Sequence, residues 1–350
     1  MSSCDFDSKP ILNIYGLYQS GKSLLYDAFT SSPSFKTFHR EEDFDLLRYP
    51  NGLFELYLSI LTLDPLIAGH RLSRFSHLVS YNCIAPKNKL DAFLFYRRDF
   101  SLFLPGFHHQ TSIYLSKLLK HTRTTFHPFS LLTETFPLLP VYRLFNKFFN
   151  TSFPKSLLLS ISENDFVQYT QNYLDSLFTY MLCCSPPNAH VPYDALILNN
   201  VCFPGQEKLL NKLCPKINNI LLIRDPIATY IDILDRSSFA WYRNQSNAFF
   251  SVNSFRSYLD YFELALGSVI SSGNSLILRF EDLVNSPSTQ LSLIAEYSGI
   301  PINALSQLSI KPLSSPILED CSHPLYSQYL TYSRSSSYNS ISSFYTRYES

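Results

Sequence analysis

The segment Gly16-Leu17-Tyr18-Gln19-Ser20-Gly21-Lys22-Ser23 reads G-x-x-x-x-G-K-S, and it lies between a short apolar run and a helical one. Ile11 to Tyr15 has the character of a buried strand, and Lys22 to Phe29 that of a helix. Strand, glycine loop and helix in that order are the setting in which a loop cradles a phosphate-like anion. The glycines let the backbone wrap tightly, so that successive N–H groups face one point, and the new helix brings the positive end of its dipole to the same place. Lys22 adds a mobile cation and Ser23 a hydroxyl. Gly16, Tyr18, Gln19, Ser20, Gly21, Lys22 and Ser23 are therefore the candidate anion-binding residues. The expected fold class is α/β: a P-loop-type parallel sheet with helices on both faces.

The rest of the chain fits that class. Polar, mixed sequence follows from about residue 34 to 50, with the acidic run Glu41-Glu42-Asp43, and Gly52 to Leu63 is leucine-rich and helical. From about 90 to 190 the chain is rich in Phe, Tyr, Leu and His, with apolar positions at helical spacing over 113–119 and 166–182, broken by prolines. This middle part is expected to be a helical insertion. Strands are expected at 194–199, 219–223 and 275–278, with helices over 205–213, 227–234, 255–270 and 288–297. The first two of these strands and the helix between them read as a βαβ unit. Residues 1–320 are thus expected to form one α/β domain, and the Ser/Tyr-rich tail 321–350 to be partly disordered.

Composition narrows the function. Hydrophobic residues are 45% of the 350, enough for a large core, while the formal net charge is +0. A nucleic-acid-binding chain usually carries a basic excess, so no nucleic-acid partner is expected. The seven cysteines include no CxxC pair, which speaks against a zinc site or a disulfide framework; the adjacent Cys183 and Cys184 are expected to be buried thiols. The N-terminal segment lacks an apolar core of the kind a signal peptide has, and no apolar stretch approaches the ~18 residues that span a bilayer. No membrane span is expected, and the expected location is cytoplasmic. A magnesium-dependent P-loop nucleotidase usually has a hydrophobic strand ending in Asp, but the run 195–198 ends on Asn199 and Asn200.

Three segments in order resemble the sulfotransferase family, whose sulfate donor is 3′-phosphoadenosine-5′-phosphosulfate (PAPS). The loop 16–23 is similar to the family's 5′-phosphosulfate loop. Asn219 to Pro226, ending Ile223-Arg224-Asp225-Pro226, is similar to its 3′-phosphate segment. Leu278-Arg279-Phe280-Glu281-Asp282-Leu283 through Pro287 is similar to its R-Y-E-D-L stretch. The resemblance implies PAPS as co-substrate, an acceptor hydroxyl on a carbohydrate or small metabolite, and no metal. It implies that Lys22 stabilises the leaving oxygen, that Arg224 pairs with the 3′-phosphate, and that a carboxylate or histidine takes the acceptor's proton. Glu41 and Glu42 are the candidate bases, with His39, His70, His108, His109 and His190 as a second pool. Arg279 and Glu281 are expected to pair structurally. Two positions depart from the family pattern: Lys22 stands where Ser or Thr is usual, and Asp232 where a serine binds the 3′-phosphate. Thr229 is the nearby candidate to replace that serine. A kinase or nucleotidase using ATP and magnesium, and a catalytically silent relative, are the alternative readings.

Overall fold

A computed structural model of the chain describes residues 9–17, 19–38, 44–83, 100–102, 104, 106–125, 156–183, 193–235 and 252–310. The chain divides into two compact units. One comprises Met1–Asp7, Phe44–His190 and Lys212–Pro215; the other comprises Ser8–Asp43, Val191–Asn211 and Lys216–Ser350.

The second unit is built on a five-stranded sheet. Its strands are β1 (Ile11–Gly16) and β2 (Phe35–Thr37), and two more, β5 (Ala195–Asn199) and β6 (Ile217–Ile223), follow the pair β3 (Thr122–Thr125) and β4 (Ser156–Leu159) of the first unit; β7 (Ser275–Arg279) is last. Their order is β2-β5-β1-β6-β7, and every neighbouring pair is parallel. The expected α/β class with a parallel sheet is what the chain forms. β5 and β6 are not neighbours, however: β1 lies between them, so the expected βαβ unit crosses over the first strand. From β1 the chain goes outward on one side to β2 and later, on the other side, to β6 and β7. That reversal places the topological switch at the carboxyl end of β1, where open parallel sheets hold their ligands.

Alternation along the strands buries both faces. Leu12 and Ile14 of β1, Ala195 and Ile197 of β5, Ile220 and Leu222 of β6 and Leu278 of β7 form one apolar layer. Against it pack α1 (Lys22–Thr30) through Leu24, Leu25 and Phe29, and two helices late in the chain that carry Leu291, Ile294 and Leu305. The opposite face carries buried polar groups. Asn13 Nδ2 donates to Asn219 Oδ1 at 2.9 Å, and Asn13 Oδ1 accepts from the Val201 N–H at 3.0 Å. Tyr15 donates at 2.9 Å to Glu207, which is 1% exposed and also accepts from the Gly205 N–H. These groups satisfy one another, which is the condition for burying them without a large desolvation cost.

The first unit holds α2 (Leu53–Leu61), α3 (Pro65–His77), α4 (Phe107–Leu119), the antiparallel pair β3 (Thr122–Thr125) and β4 (Ser156–Leu159), and α5 (Glu163–Cys183). Asp64 caps α3, its Oδ1 accepting from the Leu66 and Ile67 N–H groups, with Pro65 in the first helical position. α4 and α5 are joined by two reciprocal hydroxyl contacts, Tyr114 with Thr170 at 2.8 Å and Thr111 with Tyr173 at 2.7 Å. The two tyrosine rings stack with centroids 4.6 Å apart. At Gly69, α3 approaches β4 so closely that a Cβ would lie 1.9 Å from the Leu157 carbonyl oxygen. The middle of the chain therefore contains a strand pair besides helices, and α5 runs unbroken for 21 residues. Cys183 is exposed rather than buried, while Cys184 and the tail 321–350 lie outside the described residues.

Candidate functional site

β1 ends at Gly16 and α1 opens at Lys22, so the loop between them occupies the carboxyl edge of the sheet at its switch point. Gln19 (φ 58°) and Gly21 (φ 80°) both take the left-handed backbone conformation. Interleaving such residues in a tight turn rotates peptide N–H groups toward one side, as in anion-binding nests. The Ser20 N–H closes the turn on the Leu17 carbonyl at 3.2 Å. No side chain caps the start of α1. The leading N–H groups of a helix have no partner within it, so an anion is a natural cap here. Ser20 is 2% exposed and its Oγ has no hydrogen-bond partner, a polar atom buried at the back of the same loop.

Phe280 fixes the loop from below. It follows β7 and opens α9 (Phe280–Asn285), and its ring meets Gly21 so closely that a Cβ there would sit 2.2 Å from the ring. Gly21 is thus required twice, for its positive φ and for that contact. The other neighbour of the ring is Arg224, whose guanidinium lies 5.4 Å from its centroid. Arg224 follows β6, whose Leu222 is in register with Gly16, so strand pairing alone brings the arginine beside the loop. Its Nη1 reaches the Gln19 carbonyl at 3.5 Å and forms a short ion pair with Asp232. Both side chains are largely buried, at 7% and 16% exposure.

α7 carries Asp232. Counting α6 (Glu207–Leu213) before it, α7 runs Pro226–Asp235, and α8 (Val252–Ser272) follows. Asp225 is its cap: Oδ1 accepts from the Ile227 and Ala228 N–H groups, both at 2.8 Å, ahead of Pro226. Thr229 is 1% exposed and its hydroxyl donates to the Asp225 carbonyl at 2.8 Å. Glu281 Oε1 accepts from the Asp225 N–H at 2.9 Å, tying the end of β7 to the end of β6. Burial pushes the Glu281 carboxyl above its ordinary range. Arg279 lies 4.0 Å from both Glu281 and Asp282, so the expected Arg279–Glu281 pair is present but long, and the firmer bond of Glu281 is to backbone.

The structure thus brings Gly16, Gln19, Ser20, Gly21, Lys22, Ser23, Arg224, Thr229 and Asp232 to one edge of one sheet. Tyr18, Glu41 and Glu42 lie outside the described residues, as do His39 and His190. His70 is on α3, and His108 and His109 are on α4, all in the first unit. Sequence reasoning missed Phe280 as the support shared by Gly21 and Arg224, and the role of Asp225 as a cap. Asp followed by Pro just ahead of an apolar helical run was a sufficient signal for the cap. Among the described residues no cluster of three or more His, Cys, Asp or Glu could hold a metal ion, and no helix is long and apolar enough to cross a membrane.

No known family model matches the chain, and no curated protein sequence matches it. Among solved structures, it is similar to the crystal structure of sulfotransferase STF9 from Mycobacterium avium, with a TM-score of 0.35 and 10% identity, over 92% of this chain and 76% of that one.

Proposed function

We propose that this chain is a sulfotransferase that moves a sulfuryl group from PAPS to an acceptor hydroxyl on a carbohydrate or small metabolite. The observation that carries the reading is the loop 16–23 at the switch point, with α1 lacking a side-chain cap and a buried arginine beside it. The order of the three resembling segments supports it as well. In this reading the loop N–H groups hold the 5′-phosphosulfate, which places the sulfur for attack. The acceptor oxygen bonds to sulfur while the bond from sulfur to the bridging phosphate oxygen breaks, leaving adenosine 3′,5′-bisphosphate. Lys22 stabilises charge on that departing oxygen, and Glu41 or Glu42 takes the acceptor's proton. Arg224 serves the 3′-phosphate.

An ATP–magnesium reading would enlist Asp225, but that carboxylate caps its own helix through Oδ1. The test is to incubate the protein with PAPS and a panel of hydroxyl acceptors, and to measure release of adenosine 3′,5′-bisphosphate. Acceptor-dependent release that Lys22→Ala abolishes is the expected result. Release from PAPS with no acceptor class, or turnover of ATP with magnesium instead, would overturn the proposal.

A further inference from the structure

The guanidinium beside the loop already has an anion. Arg224 is held on one face by the Phe280 ring, and its Nη1 is shared between the Gln19 carbonyl and the Asp232 carboxylate. The positive charge that Arg224 brings beside the loop is therefore neutralised by a residue of the protein itself. We infer that Asp232 is a specificity-determining residue: it competes with a ligand's second phosphate for Arg224 and so sets how much that phosphate adds to binding. This rests on the proposed reading of the loop as the site of a nucleotide's first anionic group.

The local geometry explains why Asp232 reaches the arginine. Asp225 caps α7 and Pro226 starts it, so the direction of the helix is fixed at the strand end. Asp232 then lies further along the same helix, facing back to Arg224. Both side chains are mostly withdrawn from water, where charges interact more strongly than on an open surface. A ligand anchored in the loop by a single phosphate or phosphosulfate group leaves the pair intact. A second phosphate directed at Arg224 must either displace the carboxylate or sit beside it as a like charge. Either course lowers the gain from the second phosphate. An amide at this position keeps the shape and can still accept a hydrogen bond from Nη1, yet removes the competing charge.

The experiment is calorimetric titration of adenosine 3′,5′-bisphosphate and adenosine 5′-monophosphate into the wild-type protein, Asp232→Asn and Lys22→Ala. Asp232→Asn is expected to tighten the bisphosphate about tenfold or more, as loss of a nearby like charge should, while the monophosphate changes by less than about twofold. The wild-type protein itself should hold the bisphosphate within about tenfold of the monophosphate. That comparison stands even if the variant does not fold. A wild-type preference for the bisphosphate of about a hundredfold, or an Asp232→Asn protein with unchanged affinities, would overturn the inference while Lys22-dependent binding kept the loop reading intact. Absence of binding by both nucleotides would overturn the loop reading, and the inference with it.

Discussion

Replacing Gly21 with alanine tests whether the loop is held as described. Gly21 has φ 80°, and a Cβ built there lies 2.2 Å from Cδ2 and 2.4 Å from Cε2 of Phe280. Placing a residue with a side chain in the left-handed region costs roughly 1–2 kcal/mol. Forcing an extra methyl against a packed ring costs about 1–3 kcal/mol more. Phe280 is only 7% exposed and is backed by the apolar layer under the sheet, so it has little room to retreat. The expected loss for Gly21→Ala is therefore about 2–5 kcal/mol, read from urea unfolding followed by circular dichroism. Phe280→Ala alone should cost about 3–5 kcal/mol through the cavity it leaves. The two changes share a contact, so the double variant should be about 1–3 kcal/mol more stable than the sum of the singles predicts. The backbone part of the alanine cost should survive in that double variant. A Gly21→Ala loss below about 0.5 kcal/mol, or additive effects in the cycle, would refute the packing of Phe280 against the loop.

Other outcomes follow from the same structure. Gly69→Ala should destabilise the protein by about 2 kcal/mol or more because α3 meets the β4 backbone there, whereas Gly267→Ala, at an exposed position of α8 with nothing within 4 Å, should stabilise it by about 0.5–1 kcal/mol; thermal midpoints moving together would contradict this. Burial, and then its bond to Glu163, pushes the Tyr57 hydroxyl up to about 12, and burial raises Tyr15, Tyr114 and Tyr173 also. Groups raised in the folded state stabilise it fully below the unfolded tyrosine value of about 10 and lose that contribution as pH climbs through the folded values. The thermal midpoint should accordingly fall between about pH 10 and 12, and full tyrosinate absorbance in a still folded protein near pH 10 would count against it. Glu281 is also raised by burial, so its stabilising contribution is present below the usual carboxylate range and lost above it. Glu281→Gln, which keeps an acceptor for the Asp225 N–H, should match or exceed wild-type stability at pH 7 to within about 0.5 kcal/mol, with any gain gone near pH 4; a clear loss at pH 7 would mean that the charge itself is needed.

Much of the sheet was legible because its strands are short apolar runs ending in turn signals. β1, β5 and β6 each carry two or more buried aliphatic residues, β7 carries buried Leu278 beside half-buried Leu276 and Ile277, and all four stand before a loop or helix start. β2 was not legible: it is three residues long, Phe-Lys-Thr, at the edge of the sheet, with one buried side chain. β3, Thr-Arg-Thr-Thr, has no apolar residue at all and is defined only by its partner β4. Position in the sheet was beyond sequence reading as well, since local pattern does not say that β1 separates β5 from β6. At the site, the loop motif named its own residues, because phosphate-cradling geometry needs glycines at fixed places. The Phe280 contact and the Asp232 ion pair depend on side chains meeting across 259 and 8 residues of chain, respectively, and spacing alone could not place them. Asp232 is instructive: from sequence it was a misfit beside a phosphate, and in the fold it is the counter-ion of Arg224.

In the proposed function the loop 16–23 is the anion site of a PAPS-type donor. The most direct measurement is calorimetric competition between adenosine 3′,5′-bisphosphate and ATP with magnesium, on wild-type protein and Lys22→Ala. Saturable binding of the bisphosphate is expected, weakened about tenfold or more by Lys22→Ala, with ATP and magnesium unable to displace it at equal concentration. Preferential binding of magnesium–ATP, or bisphosphate binding indifferent to Lys22, would contradict it.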